Sequence, residues 1–447
     1  MDSKRWKWRS GLSVVWKFLK QGRQSQKAKG KAQKAKVKQR QERQNEKEIT
    51  FSELWARNLE LETLNSAIRN SRVLLVAGEA SGDLHGGDLI TALRRQVPTI
   101  EVFGIGGPAL RAAGVQTLVD SEAIAGMGLV EARDKVGAII RTYRQLKQIL
   151  RTNPPDLLIV IDFPEFNLRL AKVAKRVGVP VFYYISPQVW AWRKRRVYTI
   201  AKRVDRLAAV FPFEPAFYAA HGCTVDFVGH PLVDRVRPTR TREDTLWRHG
   251  LDPQHRTIVL LPGSRAQEVR YLLGPMLGAA KQLGKDYQFV LAAADTLNVE
   301  ELRNRVRHTA IRAVQGDTYN LVHASDLALV ASGTATLETA LLERPMVIVY
   351  RLAPFTYALA RMIVRVPFIG MPNLIAERRV VPELIQRDVT PSRIAAEATR
   401  LLTDAQAYSV AQAGLREVRQ RLGGGGAAER AATLVAEMLT SKMKNEE

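Results

Sequence analysis

Cysteine is almost missing from this chain: Cys223 is the only one in 447 residues. An intrachain disulfide and a Cys-rich metal site are therefore excluded, and a reducing compartment is the default. No run of about 18 uncharged apolar residues occurs, so no segment is expected to span a bilayer. The N-terminus has neither the apolar core nor the small-residue cleavage site of a secretory signal, and it has too much Lys and Gln and too little Ser for an organelle transit peptide. Acidic residues are also scarce, 44 against 68 Lys and Arg, for a formal net charge of +24. Half of that excess lies in residues 1–50, which hold 16 Lys/Arg and 4 Asp/Glu. Between Gln21 and Lys47 there is almost no large apolar side chain to repay ordering, so this part reads as disordered or as solvated helix.

What is present divides sharply. In residues 1–50, Trp8, Leu12, Val15, Trp16 and Leu19 fall on one helical stripe among basic residues, the pattern of a helix lying on an anionic membrane surface. Docking on the protein's own body and RNA binding are the other readings. Residues 51–71 read as a helical lead-in. From Arg72 onward, short β-branched runs alternate with helical segments: Val73–Val76, Leu157–Ile161, Val181–Tyr184, Leu207–Phe211, Thr257–Leu261, Phe289–Leu291, Leu327–Val330 and Met346–Tyr350. The pattern predicts an α/β architecture of parallel sheets covered by helices. The polar stretch 237–256 interrupts the alternation, giving a first lobe over 72–240 and a second over 241–395. Residues 396–447 read as helices around a Gly423–Gly426 hinge, which pack back on the first lobe or swap onto a partner.

Four strand ends carry candidate chemistry. "VAGEASGDLHGG" (76–87) places Gly78 after a strand, with Gly82, Gly86 and Gly87 following as a helix begins. Its spacing is neither the dinucleotide fingerprint nor a P-loop. Bare backbone at the positive end of a helix suits an anion or a sugar, with Ser81 among the candidate binding residues and Glu79 and Asp83 placed to orient hydroxyls; capping of the helix is the plainer role for Asp83. Asp83, His85 and Asp88 have no matching ligands elsewhere, and no metal is expected. Asp162 in "LLIVIDFPEFN" ends a strand buried on both faces, where a carboxylate could accept a proton from a hydroxyl or merely cap the helix begun by Pro164. "LLPGSRAQEV" (260–269) and "ASGTATLETA" (331–340) repeat the strand-then-glycine device. Gly263 and Ser264 precede an Arg265 whose position opposes the helix dipole and calls for a compensating anion, and Ser332, Gly333 and Thr334 open onto a helix carrying Glu338, which could hold a ribose. Together the two loops suggest a diphosphate.

Two further segments mix basic and apolar residues. "SPQVWAWRKRR" (186–196) interleaves Trp190 and Trp192 with Arg193 to Arg196, suiting nucleic acid or a phosphorylated lipid head group. Val136, Ile139, Ile140, Tyr143, Leu146 and Leu150 form a helical stripe beside Arg141, Arg144, Lys147 and Arg151. Core packing is the default for such a stripe, with membrane or acyl contact the alternative.

"AGEASGD" (77–83), "MGLVEA" (127–132), "IDFPEFN" (161–167), "SPQVWAWR" (186–193), "FVGHPLVD" (227–234), "LLPGSR" (260–265), "ASGTATLE" (331–338) and "MPNLIA" (371–376) stand in the order and approximate spacing of the lipid-A-disaccharide synthase family, which the chain resembles over about 72–440. The resemblance implies a GT-B glycosyltransferase of two Rossmann-like lobes facing a cleft. The implied reaction joins UDP-2,3-diacylglucosamine to 2,3-diacylglucosamine 1-phosphate (lipid X), forming a β(1→6) disaccharide and releasing UDP, with no cofactor. It assigns the base to Asp162 and the leaving diphosphate to Arg265 and the N–H groups after Gly263 and Gly333. Glu79 and Asn373 match positions expected in the cleft, Asn167 and Trp192 fall within the matching motifs, and Arg193 would steer the anionic acceptor. A cytoplasmic enzyme held peripherally at the inner membrane follows, with Val136, Ile139, Ile140, Trp8 and Trp16 as contacts, a homodimer as a further expectation and no specific nucleic acid as partner. The basic extension has no counterpart in the resemblance. A sister GT-B transferase acting on a lipid-linked acceptor, or a basic nucleic-acid-binding protein on an inactive scaffold, are the competing readings.

Overall fold

The computed structural model describes residues 71–123, 132–363 and 366–444. The basic extension with Trp8 and Trp16, the helical lead-in through residue 70, residues 127–131 of "MGLVEA" and the Trp192 side chain lie outside the described residues.

Thirteen strands form two sheets. The first contains β1 (Arg72–Ala77), β2 (Glu101–Gly106), β3 (Gln116–Asp120), β4 (Leu157–Ile161), β5 (Val181–Tyr184), β6 (Arg206–Ala209) and β7 (Asp226–Phe227), in the order β3-β2-β1-β4-β5-β6-β7. The second contains β8 (Thr257–Leu261), β9 (Gln288–Ala293), β10 (Arg312–Gln315), β11 (Leu327–Ala331), β12 (Met346–Tyr350) and β13 (Glu383–Ile385), in the order β10-β9-β8-β11-β12-β13. Every pairing is parallel. Both sheets thus have the doubly wound order, with the chain reversing direction between β1 and β4 and again between β8 and β11. Ligands of such sheets collect outside the carboxyl ends of the strands at these points.

Five strands lie outside the predicted runs. Four of them, β3, β7, β10 and β13, are the outer edges of the two sheets. An edge strand buries less, so it keeps polar residues and loses the unbroken apolar run that marks β4 or β8. The fifth, β2, is interior but carries Gly104 and Gly106; Gly104 adopts φ +148°, where a Cβ would run into the Leu75 carbonyl of β1.

The predicted Val136–Leu150 stripe is split by the fold. Leu146 and Leu150 are fully buried in the first lobe's core, and Ile139 and Tyr143 pack against it, Tyr143 meeting Phe166 edge-on at 5.8 Å. Val136 and Ile140 are 54% and 44% exposed. Ile139 therefore belongs to the inner face, and the outward apolar surface of the Ala132–Thr152 helix is narrower than the sequence suggests.

The last helix, Ala427–Lys444, lies on the first lobe: Arg206 pairs with Glu437 at 2.5 Å, Lys442 with Asp156 at 3.0 Å, and Arg430 donates to the Val228 carbonyl at 2.9 Å. The turn before it places Gly423, Gly425 and Gly426 at positive φ, while the Asp234 carboxylate accepts from the Gly426 N–H at 2.9 Å.

Candidate active site

In the first lobe, β4 runs straight into Asp162. Asp162 and Phe163 both occupy the left-handed region, φ 46° and 43°, a conformation that costs a non-glycine residue about 1–3 kcal/mol. Two buried side chains hold this turn in place. Asn167 donates from Nδ2 to the carbonyls of Ile161 (3.1 Å) and Asp162 (2.7 Å), and the Tyr183 hydroxyl donates to the Asp162 carbonyl at 2.7 Å. Gly78 is required from the other side, because a Cβ there would sit 2.5 Å from the Phe163 ring. The following helix, Pro164–Arg176, has Phe163 at its N-cap and no side-chain cap. The helix-capping alternative for Asp162 is thereby removed. Burial first, then the negative charge of Glu79, push the Asp162 carboxyl up to about 6, opposed by the Phe163 N–H. Near neutral pH it is thus ionised and more basic than an ordinary aspartate.

Several glycine-loop residues have other work. The Ala80–Gln96 helix starts before the glycines, so Gly82, Gly86 and Gly87 lie inside it. A Cβ on Gly87 would meet the Ala109 carbonyl at 3.0 Å, and one on Gly86 would meet Ile161 and Leu110 at 3.1 Å. Gly86 and Gly87 thus serve close helix packing. Asp83 is buried, and its carboxylate accepts from the N–H groups of Gly107 (2.6 Å), Ala109 (2.9 Å) and Leu110 (3.1 Å). It caps the neighbouring Pro108–Ala112 helix rather than its own. Glu79 and Ser81 remain exposed beside the turn.

The "SPQVWAWR" segment is anchored inward. Trp190 is buried, packs edge-on against Phe213 at 4.9 Å, and donates from Nε1 to Glu214 at 3.3 Å. Glu214 also accepts from the N–H groups of Val210 and Phe211 at 3.0 Å, and its complete burial raises its carboxyl to about 7. Trp190 is therefore no stacking platform for bases. Arg193 and Arg196 each reach Glu165 at 2.5 Å, and these partners hold its carboxyl below the usual range, Arg196 foremost. The basic segment is thus tied to the helix that begins two residues after Asp162.

The second lobe presents its two glycine loops differently. At Gly263–Arg265 the compensating anion is already in the chain: Glu268 accepts from the N–H groups of Ser264 (2.9 Å) and Arg265 (3.3 Å), while Arg265 Nη1 lies 3.4 Å from its other oxygen. The Arg265 side chain is still 82% exposed. At Ser332–Thr334 no side chain among the described residues caps the Thr334–Leu341 helix, whose N-cap is Gly333. Gly333 has φ 150° and ψ −158°, essentially glycine-only geometry, with open space where a Cβ would be. Ser332 donates to the Ile369 carbonyl at 3.1 Å. Glu338 accepts from the Tyr319 hydroxyl at 2.9 Å, and burial raises its carboxyl. Asn373 is fully buried and fully satisfied: it donates to the Val381 carbonyl and Glu383 at 2.8 Å and accepts from the N–H groups of Val380 (2.7 Å) and Val381 (3.0 Å). It shapes that turn and has no group left for a substrate.

Tyr183, Tyr319, Glu165 and Glu268 were not singled out by sequence reasoning. Only Glu268 left a usable signal, as a Glu three residues after the N-cap. Among the described residues no group of three or more His, Cys, Asp or Glu is placed to hold a metal ion, nor is any helix long and apolar enough to cross a membrane.

Two Rossmann-like lobes with candidate sites at both switch points define a GT-B glycosyltransferase fold. Solved structures agree on the fold. A UDP-N-acetylglucosamine 2-epimerase from Neisseria meningitidis bound to UDP-GlcNAc aligns with TM-score 0.55 at 13% identity, covering 83% of this chain and 100% of that one. CalG4, the calicheamicin glycosyltransferase, aligns with TM-score 0.54 at 16% identity, covering 83% and 98%. At the sequence level, the family model for lipid-A-disaccharide synthetase matches residues 73–437. The lipid-A-disaccharide synthase of Geobacter metallireducens is 49% identical over 378 residues, 83% of this chain and 98% of that relative. The chain belongs to the lipid-A-disaccharide synthase family and is a glycosyltransferase of lipid A biosynthesis.

Proposed function

We propose that the chain condenses UDP-2,3-diacylglucosamine with 2,3-diacylglucosamine 1-phosphate, with Asp162 as the base. The observation that carries the reading is the Asp162 turn: a strained carboxylate at the switch point, raised to about 6 and excluded from helix capping. Asp162 takes the proton of the acceptor's 6-hydroxyl as that oxygen bonds to the donor's C1. The C1–O bond to the diphosphate breaks on the opposite face, inverting the anomeric centre and releasing UDP. The open N–H groups after Gly333 and the exposed Arg265 guanidinium stabilise the negative charge on the departing diphosphate. Glu338, steadied by Tyr319, receives ribose hydroxyls. Glu79 keeps Asp162 basic, and Arg193, with its basic neighbours, meets the acceptor phosphate.

The test is UDP release and mass detection of the disaccharide from the purified chain given both substrates, with Asp162→Ala in parallel. Disaccharide from the wild type and almost none from the variant supports the assignment. UDP release without disaccharide, or an active variant, refutes it.

Association with an anionic membrane surface belongs to the same proposal. Val136 and Ile140, beside Arg141 and Arg144, form its described apolar part, and the basic extension adds about 1 kcal/mol per basic residue near an anionic leaflet before ordering costs. Paired Val136→Asp and Ile140→Asp changes, leaving Ile139 in place, should release the chain from anionic vesicles without unfolding it, and retained binding would overturn this part. Pairing into a homodimer is read by light scattering, as twice the 50.0 kDa chain mass.

A further inference from the structure

The two glycine loops of the second lobe have the same position in the fold and opposite occupancy. The loop after β11 is open. The loop after β8 is filled by Glu268, from the first turn of the Ala266–Leu283 helix, whose carboxylate takes the Ser264 and Arg265 N–H groups at 2.9 and 3.3 Å. Gly263, at φ 123°, gives Glu268 its room, since a Cβ there would overlap the carboxylate. An incoming phosphate meets a like charge at those N–H groups, so the charged donor this loop has to offer is the Arg265 side chain. That side chain is loosely tethered to the same carboxylate at 3.4 Å and 82% exposed.

We infer that Glu268 is a positioning residue: its carboxylate fixes the shape of the Gly263–Arg265 turn and aims the Arg265 guanidinium at the diphosphate, while the phosphate-binding N–H groups are those after Gly333. This inference rests on the reading of Arg265 as a diphosphate contact. The charge of Glu268 near the helix N-terminus favours its placement; a glutamine can keep the two N–H groups through its one carbonyl oxygen but turns an N–H donor toward the Arg265 guanidinium, and an alanine keeps neither.

The experiment is UDP titration calorimetry on the full chain, with melting temperatures recorded, for wild type, Glu268→Gln, Glu268→Ala, Arg265→Ala and the double alanine variant. Loss of one charge-assisted contact predicts about tenfold weaker UDP binding in each single alanine variant. The double variant is also about tenfold weaker, because both changes remove one contact, and Glu268→Gln, which keeps the turn but no longer accepts from Arg265, is also weaker than wild type, by no more than Glu268→Ala. Tighter UDP binding in Glu268→Gln and Glu268→Ala would overturn the inference, since the carboxylate would then be an occupant that phosphate displaces. A lowered melting temperature with unchanged UDP affinity in Glu268→Ala would overturn it too, leaving a helix cap alone. If the folded wild type binds no UDP, the nucleotide-site reading itself fails, an outcome separate from either of these.

Discussion

The lobes share a strand order and equip their switch points by different means. In the first lobe the site is a strained turn, with Asp162 and Phe163 in left-handed geometry, fastened by Asn167 and Tyr183 and packed against Gly78. In the second it is an open helix start at Gly333 and an arginine held by its own helix. The difference follows from the chemistry each lobe is asked to do. Removing a proton needs one carboxylate in a fixed place with a raised affinity for protons; the strained turn fixes the place, and burial with the Glu79 charge raises the affinity, both at a cost in stability. Holding an anion needs N–H groups with nothing in front of them, which a glycine and an uncapped helix supply.

Asp162→Asn breaks the first lobe's half of this comparison most completely. Loss of a general base predicts a kcat lower by about 10³-fold. The same change should stabilise the fold. The Asp162 carboxyl is raised in the folded chain, to about 6 from an ordinary 3.8, so the native state holds its proton more tightly than the unfolded one. Its contribution to stability therefore falls as pH rises from about 4 through about 6, and the asparagine is spared that loss. Urea melts should show Asp162→Asn more stable than wild type at pH 8, by at most about 3 kcal/mol, with that gain absent at pH 4.

Asn167→Leu leaves the reacting groups intact and releases the turn. It should cost about 2 kcal/mol in stability and about tenfold in kcat, with KM for the UDP-sugar unchanged. Tyr183→Phe should do the same more weakly. Gly333→Ala tests the second lobe: an alanine in that geometry costs about 1–3 kcal/mol, and UDP affinity measured by calorimetry should fall about tenfold. Glu79→Gln is the gentlest change. It removes the second of the two causes that raise Asp162, so the acidic limb of the rate profile should move to lower pH.

How much of this could be read in the sequence depended on burial. The central strands were legible because full burial on both faces leaves unbroken apolar runs, as in Leu157–Ile161, whereas Gln116–Asp120 and Arg312–Gln315 at the sheet edges keep polar residues and carry no such mark. Asp162 was legible as the end of such a run, but its strain was not, because the left-handed turn is imposed by Asn167, five residues on, and Tyr183, on the next strand. Asp83 and Asn373 show the converse. Each stands in a motif that reads as a binding site, and in the fold each spends its hydrogen bonds on neighbouring backbone. A polar residue at a strand end signals a place, and only its partners tell whether it has a group to spare.

The most direct measurement is the pH dependence of kcat/KM for disaccharide formation in wild type and Asp162→Asn. The wild type should lose activity with unit slope as pH falls below about 6, while the variant keeps a small residual rate with no limb in that range. A variant that retains most of the activity, or shows the same acidic limb as the wild type, would contradict the assignment of Asp162 as the base.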